Sequence, residues 1–355
     1  MSVFALVHIG SASVSGALVD GKKVIFASEQ ACRFQQKLDS GMFLEDVALA
    51  LKQVLEDLLK ARLGSPSKVV IFLSAPFVAG QLNILRQNNT KPLKVTEKVI
   101  ADLVLQDTAK FREDKKHIVV DSKIMGFRIN GYATAEPHGQ SASELEISHY
   151  LSISAEAVLA KFRNVIKSAC HHDQVEFHSA SFTLFSVVRG LQPADESLLL
   201  LDIGGEITEL TLVWQGIIRE TFSFPLGHNA LVRHLMASKE ATHSVAHASL
   251  DLDLVDEKNL AKVQTEWLKN FQEGLVKVVQ HRFWSGEITL LVENSARSSV
   301  FTTWLNGASL DKLFFSAKKI EVKSLTPELL QPLVVLDPRA KPSLPLLVES
   351  IFMLK

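Results

Sequence analysis

Residues 198–212 read Leu-Leu-Leu-Leu-Asp-Ile-Gly-Gly-Glu-Ile-Thr-Glu-Leu-Thr-Leu. The four leucines are a short apolar run suited to a strand buried on both faces. The run ends on Asp202, and Gly204 and Gly205 follow. Adjacent glycines allow a tight turn with positive φ and let backbone N–H groups approach a ligand closely. From Ile207 to Val213 polar and apolar residues alternate, which predicts a second strand and makes the whole a hairpin. A carboxylate at the end of a buried strand, beside such a turn, is placed to hold a metal-bound water near a phosphate. An ordinary hairpin with a Gly-Gly turn fits the same residues.

Residues 4–19, Phe-Ala-Leu-Val-His-Ile-Gly-Ser-Ala-Ser-Val-Ser-Gly-Ala-Leu-Val, repeat the plan. An apolar strand leads to a polar residue, an Ile-Gly, a turn of small residues and a second strand. Downstream of the first motif come Trp214-Gln-Gly-Ile-Ile-Arg, a further turn, and Phe224-Pro-Leu-Gly-His-Asn. Two phosphate-type hairpins, each heading one half of the chain, suggest a duplicated fold that closes on a nucleotide.

These motifs resemble those of the actin-like ATPases, and within them the bacterial FtsA and PilM branch. Asp202-Ile-Gly-Gly-Glu-Ile-Thr-Glu-Leu is similar to the family's second phosphate motif, usually Asp-Ile-Gly-Gly-Gly-Thr-Thr-Asp-Leu. Phe224-Pro-Leu-Gly-His-Asn is similar to the Pro-Ile-Gly-Gly-Asn/Asp segment that follows it. The resemblance implies an α/β chain with the actin-like (ribonuclease H-like) two-domain fold and an insert lobe, subdomain IC, of the FtsA/PilM type. It implies domain I (subdomain IA) over residues 1–76 and 161–194, and the insert lobe over 77–160. It places subdomain IIA over 195–235 and 285–355, and subdomain IIB over 236–284.

At 355 residues the chain exceeds one typical core. Hydrophobic residues at 47% and charged residues at 22% are an ordinary globular mix. A formal net charge of −1 and no basic patch interleaved with aromatics argue against nucleic acid. Two cysteines make no disulfide framework and fit a reducing cytoplasm. No Lys or Arg precedes Lys22, which argues against a signal peptide. The long uncharged run over residues 69–85 contains Pro76, Gly80, Gln81 and Asn83, so no direct membrane span is expected.

Apolar spacing predicts helices over residues 43–62, 96–111, 157–169, 181–190 and 265–281, one beginning at Ala230, and a last one over 346–354. It predicts strands over 23–27, 68–74, 117–121, 127–130, 145–153, 175–178 and 288–292. Residues 243–263 are ambiguous. The run Cys170-His171-His172 with His178 matches no zinc spacing and reads as a loop. His243 and His247 stand four apart, but Ser244 replaces the glutamate of a His-Glu-x-x-His helix. The terminal Leu346-Leu-Val-Glu-Ser-Ile-Phe-Met-Leu lacks a basic polar face and reads as core, not as a membrane-lying helix.

Mapped onto the family, the nucleotide-binding positions are Gly10, Ser11, Ala12, Ser13, Asp202, Gly204, Gly205, Thr208, Gly227 and Asn294, with Asp202 the Mg²⁺ residue. Three positions depart from the family. His8 stands where the first hairpin has Asp, and a neutral imidazole is a poor ligand for Mg²⁺. Glu206 replaces a glycine and faces the expected phosphates. Glu293 begins a Glu-Asn-Ser where the family has a glycine turn against the adenosine. The expectation is a pseudo-ATPase: ATP and Mg²⁺ bind weakly or not at all, and no catalytic residue is assigned.

The resemblance implies a cytoplasmic scaffold of the PilM type, peripheral at the inner membrane, docking to a membrane-inserted partner of type IV pilus or secretion assembly. Two alternatives stay open, an FtsA-like division protein tethering a filament to membrane, and an active ATPase. The length, with no linker and amphipathic anchor after the last core element, favours the PilM type. The partner would enter as a short peptide between IA and IC, with Phe77, Val78, Leu82, Ile84 and Phe127 as anchors. The same residues would equally serve the lobe's own small core. Self-association also falls within the family's repertoire.

Overall fold

The computed structural model describes all residues except 1–2, 113–115, 171–173, 194–196, 240, 253, 280–283, 285, 309–319 and 355. The chain opens with β1 (Val3–Ile9), β2 (Ser13–Asp20) and β3 (Lys23–Ala31), an antiparallel meander. Helix α1 (Ser40–Lys60) crosses over and β4 (Val69–Leu73) returns parallel to β1. Asp39 caps α1 by accepting from the Met42 N–H at 2.9 Å, so the helix starts three residues before the apolar spacing does. Its Val47, Leu51, Val54 and Leu58 stripe is buried against the sheet, mainly over β2 and β3.

The insert follows: β5 (Ala79–Lys94), α2 (Glu97–Arg112), β6 (His117–Ile129), β7 (Tyr132–Thr134) and β8 (Ser141–Ala155). They form one four-stranded sheet, β5-β8-β6-β7. The lobe therefore begins with a 16-residue strand that the sequence reading missed. β5 is polar and largely exposed, so it carries little hydrophobic signal. The two short strands expected over 117–121 and 127–130 are one strand, irregular between Val119 and Asp121 and again between Ile124 and Gly126.

The chain then returns to the first sheet through α3 (Glu156–Cys170), β9 (Val175–Ser179) and α4 (Ala180–Arg189). Of the Cys170 cluster, residues 171 and 172 lie outside the described residues. The second half repeats the plan. β10 (Leu198–Ile203), β11 (Thr208–Trp214) and β12 (Ile217–Phe224) form a meander. Helices α5 (Asn229–Lys239), α6 (His243–Asp251) and α7 (Ala261–Val279) follow, then β13 (Glu287–Val292), α8 (Ser298–Gly307), β14 (Glu321–Ser324) and α9 (Pro327–Leu330). The ambiguous stretch 243–263 resolves into α6, a short 3₁₀ turn (Glu257–Asn259) and the start of α7. The expected end of that helix, 280–281, lies outside the described residues.

The two large sheets have the same order, β3-β2-β1-β4-β9 and β12-β11-β10-β13-β14. That is the duplication the paired hairpins announced. Each half has its own core: in the second, fully buried Trp267 stacks on Phe271 and meets Phe224, Phe301 and Trp304.

The tail corrects one expectation. Residues 285–355 were assigned together to the second domain. Instead β15 (Val335–Leu336) pairs parallel with β3 of the first sheet, and α10 (Leu344–Leu354) packs on α4 and β1. Residues Leu344 to Ile351 are all buried, so α10 is a core helix as its composition suggested. It joins the halves through one apolar cluster holding Leu6, Phe72, Leu200 and Leu347. A helix apolar all round finds its burial where two layers meet.

Candidate functional site

The tips of the β1–β2 and β10–β11 hairpins touch. A Cβ on Gly205 would sit 2.7 Å from the Ala12 nitrogen, and the Ser11 hydroxyl accepts the Glu206 N–H at 2.9 Å. Behind them the Gly227 turn closes on the second hairpin. Its missing Cβ would lie 2.2 Å from the Gly204 carbonyl oxygen, so only glycine fits there. Gly204 and Gly205 in turn accept the His228 and Asn229 N–H groups. The sequence-expected residues Gly10, Ser11, Ala12, Ser13, Gly204, Gly205 and Gly227 are thus brought together.

The cradle has an occupant from the chain itself. β13 runs parallel to β10 and Val292 pairs with Ile203, so the next side chain, Glu293, projects across the hairpin tips. Its carboxylate accepts from the Ser13 N–H at 2.9 Å, the Gly205 N–H at 2.8 Å and the Ala12 N–H at 3.2 Å. The Ser13 hydroxyl, 3.2 Å away, gives its one proton to Glu29 at 2.7 Å. Glu293 is buried and receives donors from both halves. Sequence reading placed Glu293 against the base and ribose. The reach of its two methylenes sets the carboxylate on the hairpin-tip N–H groups instead.

Glu206 also differs from expectation. It does not stand as a free anion: Arg233 holds it in a bidentate pair at 2.7 Å for both contacts, and Asn229 donates at 2.9 Å. Thr208 is fully buried and structural, donating to the Leu226 carbonyl and accepting the Trp267 indole N–H. Asn294 caps the turn after β13 and donates to Asp251.

His8 is not the neutral imidazole expected. It is buried, and its Nδ1 meets Glu349 of α10 at 2.5 Å. Burial alone would lower its pKa. Glu349, as charge and as hydrogen-bond partner, with Glu293 and Asp202, lifts it to about 9. Burial, with Glu209 nearby, pushes Asp202 to about 7, against the pull of His8. A cavity of about 20 Å³, room for about one water, lies among His8, Ser74, Asp202, Glu293 and Glu349. One imidazole thus sits among several carboxyls.

Fully buried Arg297 forms the floor on the other side. It donates to Asp251 at 3.0 Å and through Nη1 to His228 Nδ1 at 2.8 Å. That bond fixes the His228 proton on Nε2, 4.0 Å from Glu293. Burial, then the Arg297 charge, holds His228 neutral. What remains of the cleft is about 260 Å³, lined by Ala12, Ser13, His228, His247, Glu293 and Asn294. Ligand pockets generally start near 300 Å³.

No family model matches the sequence, and no curated protein matches it. Among solved structures, a PilM-PilN type IV pilus biogenesis complex superposes at a TM-score of 0.69 with 14% identity, covering 99% of this chain and 96% of that one. The ethanolamine utilization protein EutJ of Carboxydothermus hydrogenoformans superposes at 0.50 with 12% identity, covering 100% and 89%. The fold is actin-like, of the PilM form. At these identities the likeness concerns the fold.

The residues expected to anchor a partner peptide separate in this PilM-form fold. Phe77 and Val78 are 5% and 4% exposed, and Phe77 stacks on Phe43 and meets Phe162 edge-on. Phe127 packs on the lobe core and Leu82 on the core shared by the halves. Only Ile84 is open, at 41%. An open groove of about 540 Å³ runs instead between α2 and β6, walled by Val104, Leu105, Val119 and Val120. Leu105 is 56% exposed at its rim. Sequence reading missed Glu349, Arg233 and Arg297. A lone glutamate inside the apolar run of 346–354 was the available signal for the first, since a charge is rarely buried unpaired.

Proposed function

We propose that this chain is a scaffold that binds protein partners, its nucleotide cleft closed by its own Glu293. A bound phosphate is held at such hairpins by backbone N–H groups. The single observation that carries the reading is that the Ala12, Ser13 and Gly205 N–H groups already donate to the Glu293 carboxylate. The residues also do not fit Mg²⁺. That ion needs oxygen ligands and water, and the His8 cation stands beside Asp202, where it repels one. Isothermal titration with Mg-ATP is expected to give no saturable binding in the low micromolar range. Sub-micromolar affinity would end this reading.

By analogy with the PilM-PilN complex, the partner is a membrane-inserted protein of a type IV pilus or secretion machine, met through a short peptide at the cytoplasmic face. Among the described residues no helix is long and apolar enough to cross a membrane. The groove between α2 and β6 is the docking site this reading favours. Its walls belong to the lobe, with Val120 also packed on the domain I core, and an extended segment with apolar anchors suits them. Co-purification from the native cell identifies the partner. Leu105→Asp is expected to weaken its capture at least tenfold without changing the melting temperature. Phe77→Leu, a core change, should instead cost about 1 kcal/mol of stability and leave capture intact. The opposite pattern would return the anchors to Phe77 and its neighbours.

A further inference from the structure

The insert lobe contains a second constellation, distant in sequence from both hairpins. The Ser122 hydroxyl of β6 lies 2.8 Å from His149 Nε2 on β8, and His149 Nδ1 lies 2.8 Å from Asp107 Oδ2 on α2. Asp107 and His149 are 2% and 0% exposed, whereas Ser122 is exposed and lines the groove between α2 and β6. Asn83 of β5 donates to both Asp107 oxygens, at 3.1 and 3.0 Å, and Lys110 donates at 3.3 Å. Burial works against the Asp107 charge, but the bonds from Asn83, His149 and Lys110 outweigh it and hold the carboxyl below its ordinary range. An ionised Asp107 accepts the hydrogen bond from His149 Nδ1–H, which leaves Nε2 as the acceptor for the serine O–H. Nucleophile, base and orienting carboxylate then stand in the order that activates a serine, a relation set by geometry and independent of chain order.

We propose that Ser122 is a nucleophile for acyl transfer, with His149 as its general base and Asp107 as the positioning residue. The substrate class is a small ester, or an activated acyl group, whose apolar part rests on Val104, Leu105, Val119 and Val120. Ser122 Oγ bonds to the acyl carbon as its proton passes to His149 Nε2. The carbon–oxygen bond to the leaving group then breaks, and that oxygen takes the proton from His149. Water repeats the sequence and releases the acid. This inference goes beyond the scaffold reading and does not depend on partner docking in the groove.

The test treats the full chain with an alkyl fluorophosphonate, in which Oγ bonds to phosphorus, fluoride leaves and the proton goes to His149. Peptide mapping is expected to place the adduct on Ser122, and p-nitrophenyl butyrate to be hydrolysed. Ser122→Ala, a change at an exposed position, should abolish both while leaving the melting temperature unchanged. Asp107→Asn and His149→Gln should slow labelling by about 10²–10⁴-fold in protein that remains folded by circular dichroism. No adduct, an adduct on another serine, or labelling indifferent to both variants would leave only a hydrogen-bond relay tying α2 to its sheet, and would overturn the proposal.

Discussion

Glu293→Ala is expected to lower the unfolding free energy by about 3–5 kcal/mol, and added inorganic phosphate or sulfate to restore part of it. The carboxylate accepts three backbone N–H groups from two different hairpins. A hydrogen bond to a charged group contributes roughly 1.5–3 kcal/mol, and a buried donor left without an acceptor carries its full desolvation cost. The bonds share one carboxylate, so their values do not add. An anion entering the vacated cradle would take the same donors, and stabilisation then follows its concentration by mass action. Combining the change with His8→Asp and Glu206→Gly removes the remaining departures from the nucleotide motif, and Mg-ATP is then expected to raise the melting temperature. Thermal unfolding against a phosphate titration measures the first part. An anion-indifferent Glu293→Ala would show that the cradle is not a phosphate site in waiting.

The second large effect lies at the other end of the same cluster. Glu349→Ala removes the hydrogen-bond partner of a buried cation, and breaking a buried pair from one side costs about 3–5 kcal/mol. Glu349→Gln keeps the volume, costs less, and separates charge from packing. The pair also fixes the sign of a pH dependence. The folded His8 pKa is raised, from 6.5 to about 9, so its contribution is complete below pH 6.5 and is lost as pH rises through 9. Asp202, raised from 3.8 to about 7, works in the same direction at lower pH, because the folded state holds the proton longer than the unfolded chain. Stability should therefore fall between pH 6.5 and 9, by roughly 3 kcal/mol at most on account of His8. Glu349→Gln should flatten that fall. Denaturant melts at pH 6, 7.5 and 9 measure it, and a wild-type stability that rises over the range would contradict the His8 assignment.

What the sequence determined by itself was the frame. Leu198 to Leu212 is decisive because a buried strand, a two-glycine turn and an alternating strand are local, and local pattern survives without knowledge of the fold. The repeat of that plan at residues 4–19 implied duplication, and the two sheets do share one strand order. The turn residues Gly10, Ser11, Ala12, Ser13, Gly204, Gly205 and Gly227 were legible for the same reason. Type and spacing define a phosphate-type hairpin, and they now meet at one point.

Only the tertiary structure decided what occupies that point. Glu293 follows a strand ninety residues beyond Asp202, and nothing local says whether its carboxylate meets a base, a phosphate place or solvent. Parallel pairing of β13 with β10 aims it at the hairpin N–H groups. The charge on His8 was hidden likewise, because a pKa depends on neighbours, and Glu349 arrives 341 residues later on a helix that crosses from the second half to the first. For Phe77 and Val78 the sequence leaves partner anchor and lobe core equally open, and the fold buries them against α1 and α3. Ser122, His149 and Asp107 lie on three elements whose register sets two distances of 2.8 Å. A hydrophobic pattern fixes which face of a strand or helix is buried. Which charge meets which donor follows from the packing of distant elements, and that the sequence alone does not write down.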